Sequence, residues 1–137
     1  MRFLAIIVGL FLPTFAAAQV SDSTFRDYAE FSAFVDTHSQ SRDITKLLTV
    51  LGGRDEYTKE QMANLQAQVF NLYPDVLPNK TIFHENDLGG GVRQEVRAYW
   101  TGLSYLYLYF LLHERDDALI VLRFAFNSSA EKIMENL

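Results

Sequence analysis

Residues 92–127 read VRQEVRAYWTGLSYLYLYFLLHERDDALIVLRFAFN, and this stretch decides the fold. It contains three long runs rich in β-branched and aromatic residues, broken only at Gly102-Leu103-Ser104 and at Glu114-Arg115-Asp116. Such runs between turn residues predict three antiparallel strands joined as a meander. In the middle run, Tyr105-Leu106-Tyr107-Leu108-Tyr109-Phe110, side chains alternate across the strand. Three tyrosines therefore share one face, with leucine and phenylalanine on the other.

The expected register follows from keeping one face apolar, because a slip of one residue sends every core side chain to the opposite side. Pairing Tyr99 with Tyr107 and Arg97 with Tyr109 sets Val96, Ala98 and Trp100 beside Phe110, Leu108 and Leu106. Pairing Tyr107 with Arg123 and Tyr109 with Val121 adds Ala118, Ile120, Leu122, Phe124 and Phe126 to that face. The other face then gathers Arg97, Tyr99, Tyr105, Tyr107, Tyr109 and Arg123, with Leu111, Leu119 and Val121. Arginine over a tyrosine ring is attractive by about 0.5 to 2 kcal/mol, and tyrosine is enriched at interfaces. These six residues are the candidate binding surface, for a protein partner, a second copy of the chain, or a ligand with an aromatic or anionic part. The apolar residues beside them favour a homodimer. The plainer alternative is a tyrosine ladder that only supports strand formation.

Upstream, the pattern predicts helices. Phe25, Tyr28, Phe31 and Val35 follow helical spacing from about Thr24 to Thr37, with caps offered by Ser21-Asp22-Ser23. Ile44, Leu47, Leu48 and Leu51 mark a second helix, from about Arg42, which Gly52-Gly53 ends. Thr58-Lys59-Glu60-Gln61 has the form of a capping box that starts a third, with Met62, Leu65, Val69 and Leu72 as its stripe and Tyr73-Pro74 as its stop. A short strand at Thr81-Ile82-Phe83-His84 and a glycine hairpin at Leu88-Gly89-Gly90-Gly91 lead into the meander. Ser128-Ser129 caps a short last helix from Ala130 to about Asn136, whose Ile133, Met134 and Leu137 are expected at one end of the core.

The first eighteen residues are expected to be a secretory signal peptide. Arg2 precedes an apolar run from Phe3 to Leu12, and Ala16-Ala17-Ala18 gives a small-residue cleavage site. Residues 19–137 then form a single α+β domain, with no membrane anchor after cleavage. The chain has 49% hydrophobic and 21% charged residues, as globular domains do, and no cysteine. A disulfide-free exported domain fits the bacterial periplasm better than an extracellular space where small domains lean on disulfides. The formal charge of −5 is scattered, without a basic cluster, and this argues against nucleic acid as a partner.

About three helices followed by an antiparallel sheet of about four strands and a short C-terminal helix is an α+β arrangement. In element order it resembles the NTF2-like and cystatin-like superfolds, and the resemblance implies helices packed across one face of a curved sheet. Those folds host enzymes, ligand binders and inactive subunits, so function has to come from the site. The sequence holds no Gly-x-Ser-x-Gly elbow, no cysteine nucleophile and no dinucleotide fingerprint. His84 and His113 could join Asp87 or Glu95 only without a known metal-ligand spacing, so neither a metal nor a cofactor is expected. An acid–base enzyme would use Tyr28, or Tyr107 with Arg123, and Glu95 is the nearest carboxylate in register. The expectation is a non-catalytic binding domain. The alternative is a small-ligand or weakly enzymatic domain with a pocket between helices and sheet.

Overall fold

The computed structural model describes residues 23–52 and 56–137. The expected leader, the caps at Ser21 and Asp22, and Gly53 lie outside the described residues. In chain order the elements are β1 (Thr24–Phe25), α1 (Tyr28–Gln40), α2 (Ile44–Leu51), α3 (Lys59–Leu72), β2 (Asn79–Gly89), β3 (Val92–Thr101), β4 (Ser104–Glu114), β5 (Leu119–Asn127) and α4 (Ala130–Met134). The strands form one antiparallel sheet in the order β1-β5-β4-β3-β2. The architecture is α+β, with three helices ahead of an open sheet and a short helix after it.

Local chemistry places the helix ends. Asp27 caps α1 by accepting from the Glu30 amide at 2.9 Å, and Asp43 caps α2 by accepting from the Lys46 amide at 3.0 Å. Thr58 and Gln61 form the reciprocal capping box that opens α3. Gly52 ends α2 with φ +112°, a conformation that favours glycine. The first helix starts later than its apolar spacing predicts. Thr24 and Phe25 instead pair with Ile120 and Leu119 as the two-residue strand β1, the fifth strand of the sheet.

The core lies between the helices and one side of the sheet. Phe31 of α1 is its centre, edge-on to Phe25 at 5.5 Å and to Phe110 at 5.1 Å. Ile44, Leu47, Leu48 and Leu51 are all buried beside it, as the stripe on α2 predicts. The stripe on α3 buries only Val69 completely, while Leu72 is 60% exposed.

Both expected hairpin registers are corrected. β3 and β4 pair Tyr99 with Leu106 and Arg97 with Leu108, one residue away from the expected pairing. The cause is the turn: Thr101 pairs with Ser104, leaving a two-residue Gly102-Leu103 loop with φ +58° at Gly102. A positive φ at the first central residue alone marks the tight II′ hairpin turn, whose twist suits the flanking strands. The slip puts Glu95, Arg97 and Tyr99 on the helix-covered face with Leu106, Leu108 and Phe110. Val96, Ala98 and Trp100 move to the opposite face with Tyr105, Tyr107 and Tyr109.

β5 meets β4 four residues out from the expected register, with Tyr107 across from Asn127 and Leu111 across from Arg123. A bulge then leaves Leu122 unpaired, and Leu112 faces Val121. An extra residue reverses the alternation. Leu119 and Val121 therefore point into the core on one side of the bulge, and Phe124 and Phe126 do so on the other. Ile120 and Leu122, expected inside, do not. α4 is also relocated: Ile133 packs against Val96 and Tyr109 on the face away from α1–α3, not at an end of the main core.

Candidate functional site

Three alternate residues of β3, Glu95, Arg97 and Tyr99, place charge and hydroxyl under the helices, and α1 supplies their partners. Arg97 donates from Nε to Glu95 Oε1 at 2.6 Å, from Nη1 to Asp36 Oδ1 at 3.1 Å and from Nη2 to the Tyr28 hydroxyl oxygen at 2.9 Å. Tyr28 donates its hydroxyl hydrogen to Glu95 Oε2 at 2.5 Å, and Tyr99 donates to Asp36 Oδ1 at 2.7 Å. Lys80 of β2 closes the chain with 2.7 Å to Asp36 Oδ2. Arg93 lies over the Tyr28 ring at 4.6 Å and pairs with Glu114 at 2.8 Å.

Burial pushes the Tyr28 hydroxyl up to about 12, with the Glu95 hydrogen bond adding to it. Burial also raises Tyr99, against the pull of Arg97. Burial alone would lower Arg97, but the Glu95 carboxylate reverses this and holds the guanidinium charged. Both tyrosines are thus fixed donors at neutral pH. Glu95 is fully buried and accepts on both oxygens, from Arg97 on one and Tyr28 on the other. The arrangement is a closed set of ion pairs that ties α1 to β3. A cleft of about 220 Å³ opens beside it, lined by Ser32, Asp36, Lys80, Thr81, Ile82, Arg97 and Tyr99.

On the outer face, away from α1–α3, aromatic side chains form a continuous series. Trp100 stacks on Tyr105 at 5.4 Å with 20° between rings, and Tyr105 on Tyr107 at 5.8 Å with 7°. Phe83 of β2 meets Tyr107 edge-on at 5.8 Å. That contact spans β3, where Ala98 lies across from both Thr81 and Tyr107 and is too small to hold the rings apart. Phe83 is 43% exposed and the other three rings are half-buried.

The six expected binding residues are therefore divided. Tyr105 and Tyr107 are on the outer face and accessible. Tyr109 shares that face but is buried under Ile133 of α4. Arg97 and Tyr99 are buried on the other side, within the ion-pair network. Arg123 is exposed and borders a separate cleft of about 670 Å³ with Glu56, Tyr57 and Phe124. Trp100 and Phe83 join the accessible group without having been expected there. Asp36 was missed as well, although Arg93, Glu95, Arg97 and Tyr99 at alternate positions carry a one-sided charge pattern that calls for a partner. His84 and His113 lie across from Val96 and Val92, and among the described residues no group of three or more His, Cys, Asp or Glu could hold a metal ion.

Comparison with known proteins finds no family model, curated protein or solved structure that matches this chain.

Proposed function

We propose that this chain is an exported, non-catalytic binding domain that takes a protein partner, or a second copy of itself, on the outer aromatic face of its sheet. The observation that carries this is the ring series Phe83, Trp100, Tyr105 and Tyr107, accessible between α4 and the Gly102-Leu103 turn. Aromatic rings that hold each other in place lose little freedom on binding, and they combine apolar area with hydroxyl tips at Tyr105 and Tyr107. The charge, apolar run and small residues of positions 1–18 support export, and the absence of cysteine supports the bacterial periplasm. The element order supports a relationship to the NTF2-like or cystatin-like superfolds.

The chain's single tryptophan lies within the proposed surface, so its emission reports occupancy directly. Self-association through this face should shift the Trp100 emission to shorter wavelength as concentration rises. A partner retained by the native chain should be lost on Phe83→Ser with Tyr107→Ser at an unchanged urea midpoint. Equal retention by both forms, with emission independent of concentration, would remove the reading.

The second reading is a small-ligand site in the cleft between α1 and β2–β3, favoured by the charged lining from Asp36, Lys80 and Arg97. At about 220 Å³ it is below the usual 300 to 1,000 Å³ of ligand pockets. Its carboxylate is already held by three donors. The outer face is therefore preferred.

A further inference from the structure

β2 is an edge of the sheet, and all of its 11 residues except His84 are exposed. Such an edge presents a row of backbone N–H and C=O groups to which another strand can add. Ile82, Phe83 and Leu88 on it are 39%, 43% and 54% exposed. What can pair there is restricted by a bulge. Ile82 faces Arg97 and His84 faces Val96, leaving Phe83 as the extra residue. Lys80, Ile82, Glu85 and Asp87 consequently point to the helix side, and Thr81, Phe83, His84 and Asn86 to the outer side.

In an antiparallel pair, residues directly opposite one another point to the same side. Two copies of β2 related by a two-fold axis therefore match along their length, across the bulge, only where like sides meet throughout. With the axis between Phe83 and His84, every position from Lys80 to Asp87 matches: Lys80 faces Asp87, Thr81 faces Asn86, Ile82 faces Glu85 and Phe83 faces His84. Moving the axis by half a residue sets Lys80 against Asn86 or Ile82 against Asn86, inner against outer. Moving it by a whole residue sets Ile82 against Phe83 or His84 against Glu85, again mismatched. The register that keeps sides matched all the way from Lys80 to Asp87 also brings opposite charges together twice, Lys80 of each copy to Asp87 of the other.

Both groups have capacity for this. The Lys80 ammonium has three donors and gives one to Asp36, while Asp87 uses Oδ1 to accept from the Gly89 amide. We propose that a second copy of this chain is the partner of the β2 edge, paired antiparallel about an axis between Phe83 and His84. The pairing makes one continuous sheet and brings the two aromatic series to the same side. It does not require that series to bind anything, so either reading can fail alone.

Sedimentation velocity on the purified chain, from micromolar to near-millimolar concentration, tests the pairing. A monomer–dimer equilibrium that weakens with salt is expected. Asp87→Lys should weaken it about tenfold by setting like charges opposite one another twice. Adding Lys80→Glu to that variant should restore it. Asp87→Asn keeps an acceptor for the Gly89 amide and should give intermediate weakening, separating charge from hairpin damage. In the native chain, amide hydrogen exchange over Lys80–Asp87 should slow with concentration. A monomer at every concentration, or a dimer unchanged by Asp87→Lys, overturns the proposal. So does a dimer lost with Tyr107→Ser and kept with Asp87→Lys, which assigns association to the aromatic face.

Discussion

Glu95 of β3 lies directly across from Phe110 of β4, so a fully buried carboxylate shares its face with a ring at the centre of the core. The position is tolerable only because α1 matches β3 in length. Tyr28 and Asp36 are eight residues apart on a helix, about 12 Å, and their partners Glu95 and Tyr99 are four apart on a strand, about 13 Å. The matched spacing lets both ends of α1 bond to β3 at once, and Arg97 between them links the two carboxylates. A shift of α1 by one turn would take Tyr28 away from Glu95, and Asp36 away from Arg97 and Tyr99.

Removing one member of this set should cost far more than removing both charges. Glu95→Ala leaves the Arg97 guanidinium buried beside a void and should destabilise by about 3 to 5 kcal/mol. Glu95→Leu combined with Arg97→Met replaces the pair by apolar groups of similar size, and urea unfolding should show most of that loss recovered. Equal midpoints for the single and double variants would mean that the pair does not act as a unit.

The glycine hairpin between β2 and β3 offers a sharper contrast between neighbours. Gly90 and Gly91 have φ of +65° and +84°. A Cβ on Gly90 would meet open space, whereas one on Gly91 would run into the carbonyl oxygen of Glu114. The Gly91 carbonyl also accepts from the Glu114 amide at 2.8 Å, so the two backbones cannot separate freely. Gly90→Ala should cost about 1 to 2 kcal/mol for the left-handed conformation alone, Gly90→Asn less, and Gly91→Ala clearly more than either. Urea midpoints of the three variants check the order.

Much of this architecture was legible because its signals are local. The capping box at Thr58, the apolar side of α2 and the three tyrosines on one side of β4 depend on residues within a few positions of each other. The registers were not legible for a physical reason. Large apolar groups occupy both faces of β4, so both pairings of β3 with β4 leave each face well filled. The terms that decide between them come from Tyr28 and Asp36, which satisfy Glu95, Arg97 and Tyr99 from 61 to 69 residues away. Bulges at Phe83 and Leu122 also reverse the alternation within β2 and β5, and no period-two reading can foresee where that happens. The tyrosine side of β4 was therefore recognised correctly, while its arginine and tyrosine neighbours on β3 were assigned to the wrong face.

Alkaline pH should loosen the helices from the sheet at two points, where Tyr28 of α1 donates to Glu95 and where Tyr73, just after α3, donates to the Tyr105 carbonyl oxygen. Tyr28 and Tyr73 are raised from 10.0 to about 12 in the folded chain, both chiefly by burial. A raised pKa means that the fold holds the proton more tightly than the unfolded chain does. The resulting stability is complete below about pH 10 and is lost as pH rises towards 12. Absorbance of tyrosinate should reveal a class of residues ionising late and together with unfolding. Tyr28→Phe removes one such group, and its stability should depend less steeply on pH in this window.

Asp36 allows a buried and an exposed ion pair to be compared on one carboxylate. Its Oδ1 accepts from Arg97, whose side chain is 3% exposed, and its Oδ2 from Lys80, which is 53% exposed. The Lys80 pair is held in water, where screening and side-chain entropy leave about 0 to 1 kcal/mol. Lys80→Ala should therefore change the urea midpoint of the monomer little. Asp36→Ala removes the acceptor of both Arg97 and the buried Tyr99 hydroxyl, and should cost about 3 to 5 kcal/mol. Hydrogen exchange should then locate the damage. In Asp36→Ala the amides at the C-terminal end of α1 should open ahead of β4, because that end of the helix has lost its bond to β3. Loss confined to β2 would instead mean that Lys80 is the partner that matters, and that the buried network does not anchor the helix.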